Sequence, residues 1–209
     1  LIIILRQVDD FIIAAKNMST CKLLRAEIQG FMANPLNDLG IIKRFNGVDI
    51  VQTRHYVKVH YETYIIRIVE HYGWTTEKAA NLPLPMKSDS TYQAILQLAE
   101  GPESLKEQQQ LEVSMGFSYR QGIGELIFAL TICRIDISIA IITLSQYSKR
   151  PAKEHYQAVK AVFVYLWHTK SDGLYYWRPS PRDALQMNHS QRQSPTQNVS
   201  KTSLISKTH

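Results

Sequence analysis

The sequence predicts a mixed α+β chain, with strands gathered in its first 60 residues and helices after residue 118. Three observations lead there. Residues 1–15, LIIILRQVDDFIIAA, set two short runs rich in β-branched residues about a polar break, the pattern of a β-hairpin. Residues 45–60 repeat that arrangement about Thr53-Arg54. From residue 119 onward, apolar side chains recur at helical spacing in three successive stretches, as in a small bundle.

The first hairpin carries Asp9 and Asp10 at its tip. Its flanking runs do not alternate with polar residues, so both faces are expected to be covered. Adjacent carboxylates repel each other unless a hard divalent cation such as Mg²⁺ offsets their charge. A solvated turn is the plainer account of the same two residues, and both readings stand at this point. The acidic end of a nucleotide-hydrolase strand is excluded, because no G-x-x-x-x-G-K-[ST] loop occurs. Two carboxylates alone are also too few for a two-metal site.

Composition sets the outer bounds. At 209 residues, 44% hydrophobic and 20% charged, the chain suits one good core or two small ones. Its net charge of +6 favours polyanionic partners. Cys21 and Cys133 lack metal-ligand spacing and fit a reduced, intracellular compartment as core-filling residues. The chain opens on Leu1 in mid-strand, with neither a basic leader nor an apolar run long enough for a bilayer, so a cut piece of something longer is expected.

After the first hairpin, Ser19 or Thr20 caps a helix to about residue 33, ended by Asn34-Pro35. Asn37-Asp38-Leu39-Gly40 is a turn, and residues 45–52 and 55–60 are the strands of the second hairpin. Residues 62–72 form a helix stopped by Gly73. Residues 75–115 show little periodicity beyond a short helix near 94–99 and read as a linker or flap. Helices then cover 119–131, 136–149 and the stretch after Pro151, followed by a strand at 173–177. Beyond Arg178 the chain is rich in Ser, Gln, Asn, Thr and Pro and is expected to be disordered.

The order of motifs from Gln7-Val8-Asp9-Asp10 to Thr169-Lys170-Ser171-Asp172-Gly173-Leu174-Tyr175-Tyr176 resembles the C-terminal half of the reverse transcriptase of copia-type LTR retrotransposons. Between them lie Asn37-Asp38-Leu39-Gly40, Phe45-Asn46-Gly47-Val48-Asp49-Ile50, Tyr119-Arg120-Gln121-Gly122-Ile123-Gly124-Glu125-Leu126, Arg134-Ile135-Asp136-Ile137-Ser138 and His155-Tyr156-Gln157-Ala158-Val159-Lys160. The resemblance implies a partial polymerase palm, two β-hairpins plus a helix, followed by a helical thumb and connection bundle. Its expected segments are 1–60 for the palm part, 61–117 for a thumb-side helix and linker, 118–177 for the bundle, and 178–209 for the tail.

By position, Asp9 would be a catalytic metal ligand and Asp10 a supporting carboxylate, with Mg²⁺ or Mn²⁺ bound only in the complete enzyme. Gln7, Phe45, Gly47, Lys149 and Arg150 would touch nucleic acid. Implied partners are an RNA/DNA template-primer duplex and dNTP, with no membrane, and the polyprotein segments upstream (integrase, fingers and palm) and downstream (RNase H). The implied location is intracellular, in a cytoplasmic virus-like particle or the nucleus.

Two departures from the pattern stand out. Gln7 replaces an aromatic residue, and Asn46 stands where Leu is more typical. The first catalytic aspartate and the fingers would precede Leu1, so this chain is expected to hold only part of an active site and to make no DNA alone. A basic nucleic-acid-binding module without catalysis and a degenerate mobile-element relic are the alternatives.

Among the remaining signals, Gly122-Ile123-Gly124 lacks a preceding strand and a third glycine, which favours close helix packing over a dinucleotide loop. His55, His60, His71, His155 and His168 show no metal-ligand spacing and are expected at the surface or partly buried. Lys149, Arg150, Lys153 and Lys160 read as a solvated face or as phosphate contacts. Trp167 and Trp177 are expected to pack rather than stack on bases.

Overall fold

The structure, a computed structural model, describes residues 1–78, 90–178 and 201–207, with residues 90–93 and 201–207 described by backbone alone. The chain divides into two compact units, one made of Leu1–Asn46, Ile50–Lys58 and Tyr175–His209, the other of Gly47–Asp49 and Val59–Leu174. This division cuts across the four consecutive segments expected from sequence, because strand pairing returns the C-terminal residues to the N-terminal part.

In the first unit, β1 (Ile2–Gln7) and β2 (Asp10–Ala15) pair antiparallel, with Ile4 opposite Ile13 and Gln7 opposite Asp10. Helix α1 (Met18–Gly30) follows. Its cap is Asn17 rather than Ser19 or Thr20: the extended backbone of Asn17 lets Oδ1 accept the Thr20 N–H at 3.0 Å. Strand β3 (Leu36–Asp38) completes a sheet in the order β1-β2-β8-β3, where β8 is Lys201–Lys207.

Alternation along β2 explains its coverage. Phe11, Ile13 and Ala15 pack with Cys21, Leu24 and Ile28 of α1, while Ile12 turns the other way onto Ile42, Phe45 and Ile50. Ile13 and Ala15 are fully buried. A buried Ile of this kind contributes about 1.5–3 kcal/mol.

Two expectations fail in this unit. All six residues of β1 are exposed, so the hairpin is not covered throughout: β1 is the edge of the sheet, and the two apolar clusters lie over β2. The tail is not without structure either. Residues 201–207 form β8, antiparallel to β2 from Phe11–Ile205 to Ala15–Lys201 and to β3 from Leu36–Lys207 to Asp38–Ile205. Thr202 and Ile205 have strand propensity, and the backbone groups of β2 and β3 supply partners that composition does not reveal. The expected disorder at 179–200 and 208–209, and the linker at 79–89, lie outside the described residues.

A second sheet runs β4-β5-β6-β7, with β4 at Arg44–Phe45, β5 at Val48–Gln52, β6 at Tyr56–His60 and β7 at Gly173–Trp177. Residues 45–52 are not one strand, because Asn46 and Gly47 both take positive φ (48° and 79°) and turn the chain between β4 and β5.

The second unit is helical. Helix α2 (Glu62–Tyr72) ends at Gly73, whose φ of 70° makes a left-handed cap. It packs with α5 (Tyr119–Ile132) and α7 (Lys153–His168) around the fully buried Ile65, Val69, Leu126, Val162, Phe163 and Leu166. Gly122 sits in this packing, where an added Cβ would come 3.3 Å from both Phe117 and Val159. The close packing expected for Gly122-Ile123-Gly124 therefore holds at Gly122, whereas nothing lies within 4 Å of a Cβ at Gly124.

Helix α3 (Ser90–Leu98) is the short helix read near 94–99. The flanking linker is more ordered than expected, since α4 occupies Leu105–Met115. Ser104 precedes α4, Glu107 lies in its first turn and Gly116 closes it in the left-handed region.

The helix expected at 136–149 is instead a 3₁₀ turn at Ile135–Ile137, then α6 (Ser138–Ser145). Its end tightens into i→i−3 bonds at Gln146, Tyr147, Ser148 and Arg150 before Pro151. Among the described residues no helix is long and apolar enough to cross a membrane.

Candidate functional site

The β1–β2 connection is as short as a hairpin allows. Gln7 pairs with Asp10, leaving Val8 and Asp9 as the loop. Val8 takes φ = 53°, a left-handed conformation that a β-branched residue adopts only at a cost of about 1–3 kcal/mol. The ladder on either side holds it there. So does Arg6, whose Nε donates to the Val8 carbonyl at 3.0 Å while its guanidinium lies 5.7 Å from the Phe11 ring centroid.

Asp9 and Asp10 are both partly exposed at this bend. Asp10 opens β2, so its side chain shares a face with its cross-strand partner Gln7. Three polar side chains, two of them carboxylates, are thus gathered at one rigid tip whose strand is anchored through Phe11, Ile12 and Ile13 in two apolar clusters.

The donor set fits a hard divalent cation in kind, because it consists of carboxylate oxygens. In number it supplies two groups. Mg²⁺ is commonly held by one or two carboxylates, with the remaining positions left to water or substrate phosphates. Among the described residues no cluster of three or more His, Cys, Asp or Glu side chains is placed to hold a metal ion.

Of the other residues singled out from sequence, Phe45 is partly buried against Ile12, Ile42 and Ile50, so part of its ring serves the core of the first unit. Gly47 belongs to the second unit, where its glycine is needed for the turn at φ = 79° and the Tyr61 hydroxyl lies 3.5 Å from where a Cβ would be. Lys149 is exposed. Arg150 is engaged within its own unit: Nη1 lies 3.3 Å from Glu103 and Nη2 donates to the Gly101 carbonyl at 3.0 Å. Lys160 pairs with Glu77 at 2.7 Å. The basic cluster is therefore partly neutralised.

Several motif residues have structural work that sequence reasoning did not assign. Asp49 accepts the Thr63 N–H at 2.9 Å and the Thr63 hydroxyl at 3.1 Å, and so caps α2 from a distance in sequence. Arg134 is 1% exposed and grips Asp136 with two bonds of 2.9 and 2.7 Å. Its Nη1 also donates to the Thr169 carbonyl at 2.9 Å, tying the 3₁₀ turn to the end of α7. The short spacing Arg134-x-Asp136 was the available signal. His155, expected at the surface or partly buried, is fully buried, and both its ring nitrogens have backbone partners.

The chain is 29% identical over 186 residues to a retrovirus-related Pol polyprotein from transposon TNT 1-94 of Nicotiana tabacum. That alignment takes in 86% of this chain and 13% of the polyprotein, so the chain spans a small part of the relative's length. A 60-residue stretch is 33% identical to secreted RxLR effector protein 161 of Plasmopara viticola, covering 29% of this chain and 42% of that protein. No family model and no solved structure matches. The chain is thus similar along most of its length to a small part of a retrovirus-related Pol polyprotein.

Proposed function

We propose that this chain is a palm-and-thumb portion of an RNA-directed DNA polymerase of a retrotransposon, bearing the acidic turn of a divalent-metal site that is completed by residues outside it. The observation that carries the reading is the Asp9-Asp10 pair on the two-residue β1–β2 turn, in a chain similar to a retrotransposon Pol polyprotein.

In this reading Asp9 and Asp10 hold Mg²⁺ or Mn²⁺, and Gln7 on the same face donates a hydrogen bond to the nucleic-acid backbone. A metal held there would supply charge stabilisation for phosphoryl transfer. The turn's contribution is position. A strained loop clamped by Arg6 and by a buried strand keeps two carboxylates at a fixed place without reorganisation when charge develops.

Gly47 would let a primer strand approach its backbone closely, and Lys149 would meet phosphate. The exposed edge of β1, with Ile2, Ile3, Ile4 and Leu5 each 46–50% exposed, supports a further strand of the polyprotein pairing along it. Such a strand could bring the missing carboxylate.

Primer extension on an RNA template tests the proposal, using the chain joined to the Pol segment that precedes it in its polyprotein. Mg²⁺-dependent synthesis that falls by orders of magnitude in both Asp9→Asn and Asp10→Asn is the expected result. Undiminished synthesis in those variants would overturn the assignment. Robust synthesis by the isolated chain would contradict the incompleteness of its site.

A further inference from the structure

We propose that the face of the second sheet carrying Tyr56, Lys58, Tyr175 and Trp177 binds single-stranded nucleic acid by stacking bases on its aromatic rings. The site belongs to the first compact unit and uses neither Asp9 nor Asp10.

Strand alternation puts Tyr175 and Trp177 on one side of β7, with Tyr176 on the other, and Tyr56 and Lys58 on one side of β6. The rings meet as one group. Tyr56 packs edge-on to Tyr175 at 5.2 Å and to Trp177 at 5.3 Å, and Tyr175 and Trp177 stand 19° from parallel at 6.2 Å. Despite these contacts the rings stay open to solvent, Tyr175 at 47% and Trp177 at 71% exposure. Rings that served only to pack would be covered by more than each other. Here Tyr56 braces the other two, and among the described residues about half of Tyr175 and most of Trp177 remain uncovered.

The charges around the rings match a polyanion. Lys58 Nζ lies 5.5 Å from the Tyr175 centroid, and exposed Arg54 sits in the turn before β6. Residues 50–60 (IVQTRHYVKVH) and 173–178 (GLYYWR) contain no carboxylate. Interleaved aromatic and basic residues on a sheet form a platform for splayed bases, whose flat faces stack without regard to sequence while cations follow the backbone. A duplex, with its bases already stacked, cannot use such a surface.

Fluorescence polarisation tests this with a labelled thymidine strand of about 20 nucleotides, in the absence of divalent cation so that the outcome is independent of the polymerase reading. The intact chain should bind that strand more tightly than the corresponding duplex or an abasic strand of equal length. Tyr175→Ala and Trp177→Ala should each weaken binding about tenfold. Trp177→Phe should restore most of the affinity, and Tyr176→Ala on the opposite side should leave it unchanged.

Equal affinity for abasic and base-bearing strands would overturn the proposal, as would a preference for duplex. Unchanged binding in both ring variants would do the same. Because the phenylalanine variant keeps a ring in place, its failure to bind while melting normally would also count against stacking.

Discussion

His155 makes the second unit sensitive to mild acid. The Ala152 N–H donates to Nδ1 at 2.9 Å, and Nε2 lies 2.8 Å from the Leu96 carbonyl, which can only accept. The imidazole is therefore neutral, with its proton on Nε2, and it bridges the start of α7 to α3 while its ring stacks on Tyr147 at 3.8 Å. A second proton would put N–H against N–H at Ala152. Burial is the main reason the His155 pKa lies below its ordinary 6.5, outweighing the Leu96 bond and the Glu154 charge, which both favour the cation.

The sign follows from the unfolded chain taking up a proton first. The stability from neutral His155 is complete above 6.5 and is lost as pH falls from there through the lowered folded value. Replacing the ring by Leu strands a buried N–H and a buried carbonyl at roughly 1–3 kcal/mol each. A total near 3 kcal/mol lowers the melting temperature by about 6–12 °C, at roughly 2–4 °C per kcal/mol. Gln accepts and donates without titrating, so His155→Gln should lose less stability and also lose this component of the pH dependence. Melting followed by circular dichroism from about pH 7.5 to pH 5.5 reads both effects. A profile as steep in His155→Gln as in the unaltered chain would refute the reasoning.

Three further outcomes concern the packing within each unit. Burial acts to raise the Asp136 pKa, but the hydrogen bonds and charge of Arg134 and the Tyr165 hydroxyl outweigh it, so the carboxyl titrates below its ordinary 3.8. Its stabilisation is whole above that value and fades as pH falls below it. Asp136→Asn should cost about 2 kcal/mol at neutral pH, less than the ~3–5 of a fully buried pair because Asp136 meets solvent. Urea melts should show the gap to the unaltered chain closing in acid. A Cβ on Gly173 would fall on the Val59 carbonyl oxygen and within 2.7 Å of the His60 Cβ, so Gly173→Ala should cost roughly 1–3 kcal/mol. At Gly30, where nothing lies within 4 Å, the same change should be neutral or mildly stabilising in the same melts.

The sequence was most legible where periodicity and stop signals agreed. Helix α2 runs from Glu62 to Tyr72 and stops at Gly73, and β7 is Gly173–Trp177, both as read from sequence. The turn after Gln7 also stands where the polar break put it. Burial was harder to see. The apolar run of β1 cannot announce that it is an edge, because that depends on which strands pair beside it. Helix α4 buries none of its residues, so it left no apolar stripe to find, although Ser104-x-x-Glu107 and Gly116 mark its ends.

Asn46-Gly47 is itself a hairpin signal, and it breaks the stretch whose β-rich composition predicts one strand. Of the candidate site, Gln7, Asp9 and Asp10 are brought together by local chain geometry. The commitments of Phe45 to an apolar cluster and of Arg150 to Glu103 and Gly101 arise from long-range packing, which no local pattern encodes.

The most direct test of the central claim is where a divalent cation sits. Mn²⁺ titrated into isotope-labelled chain joined to its preceding polyprotein segment should broaden the amide signals around Gln7, Asp9 and Asp10 first, and Mg²⁺ should reverse the effect. Asp9→Asn with Asp10→Asn should abolish it. Broadening centred elsewhere, or persisting at this turn without the two carboxylates, would contradict the account.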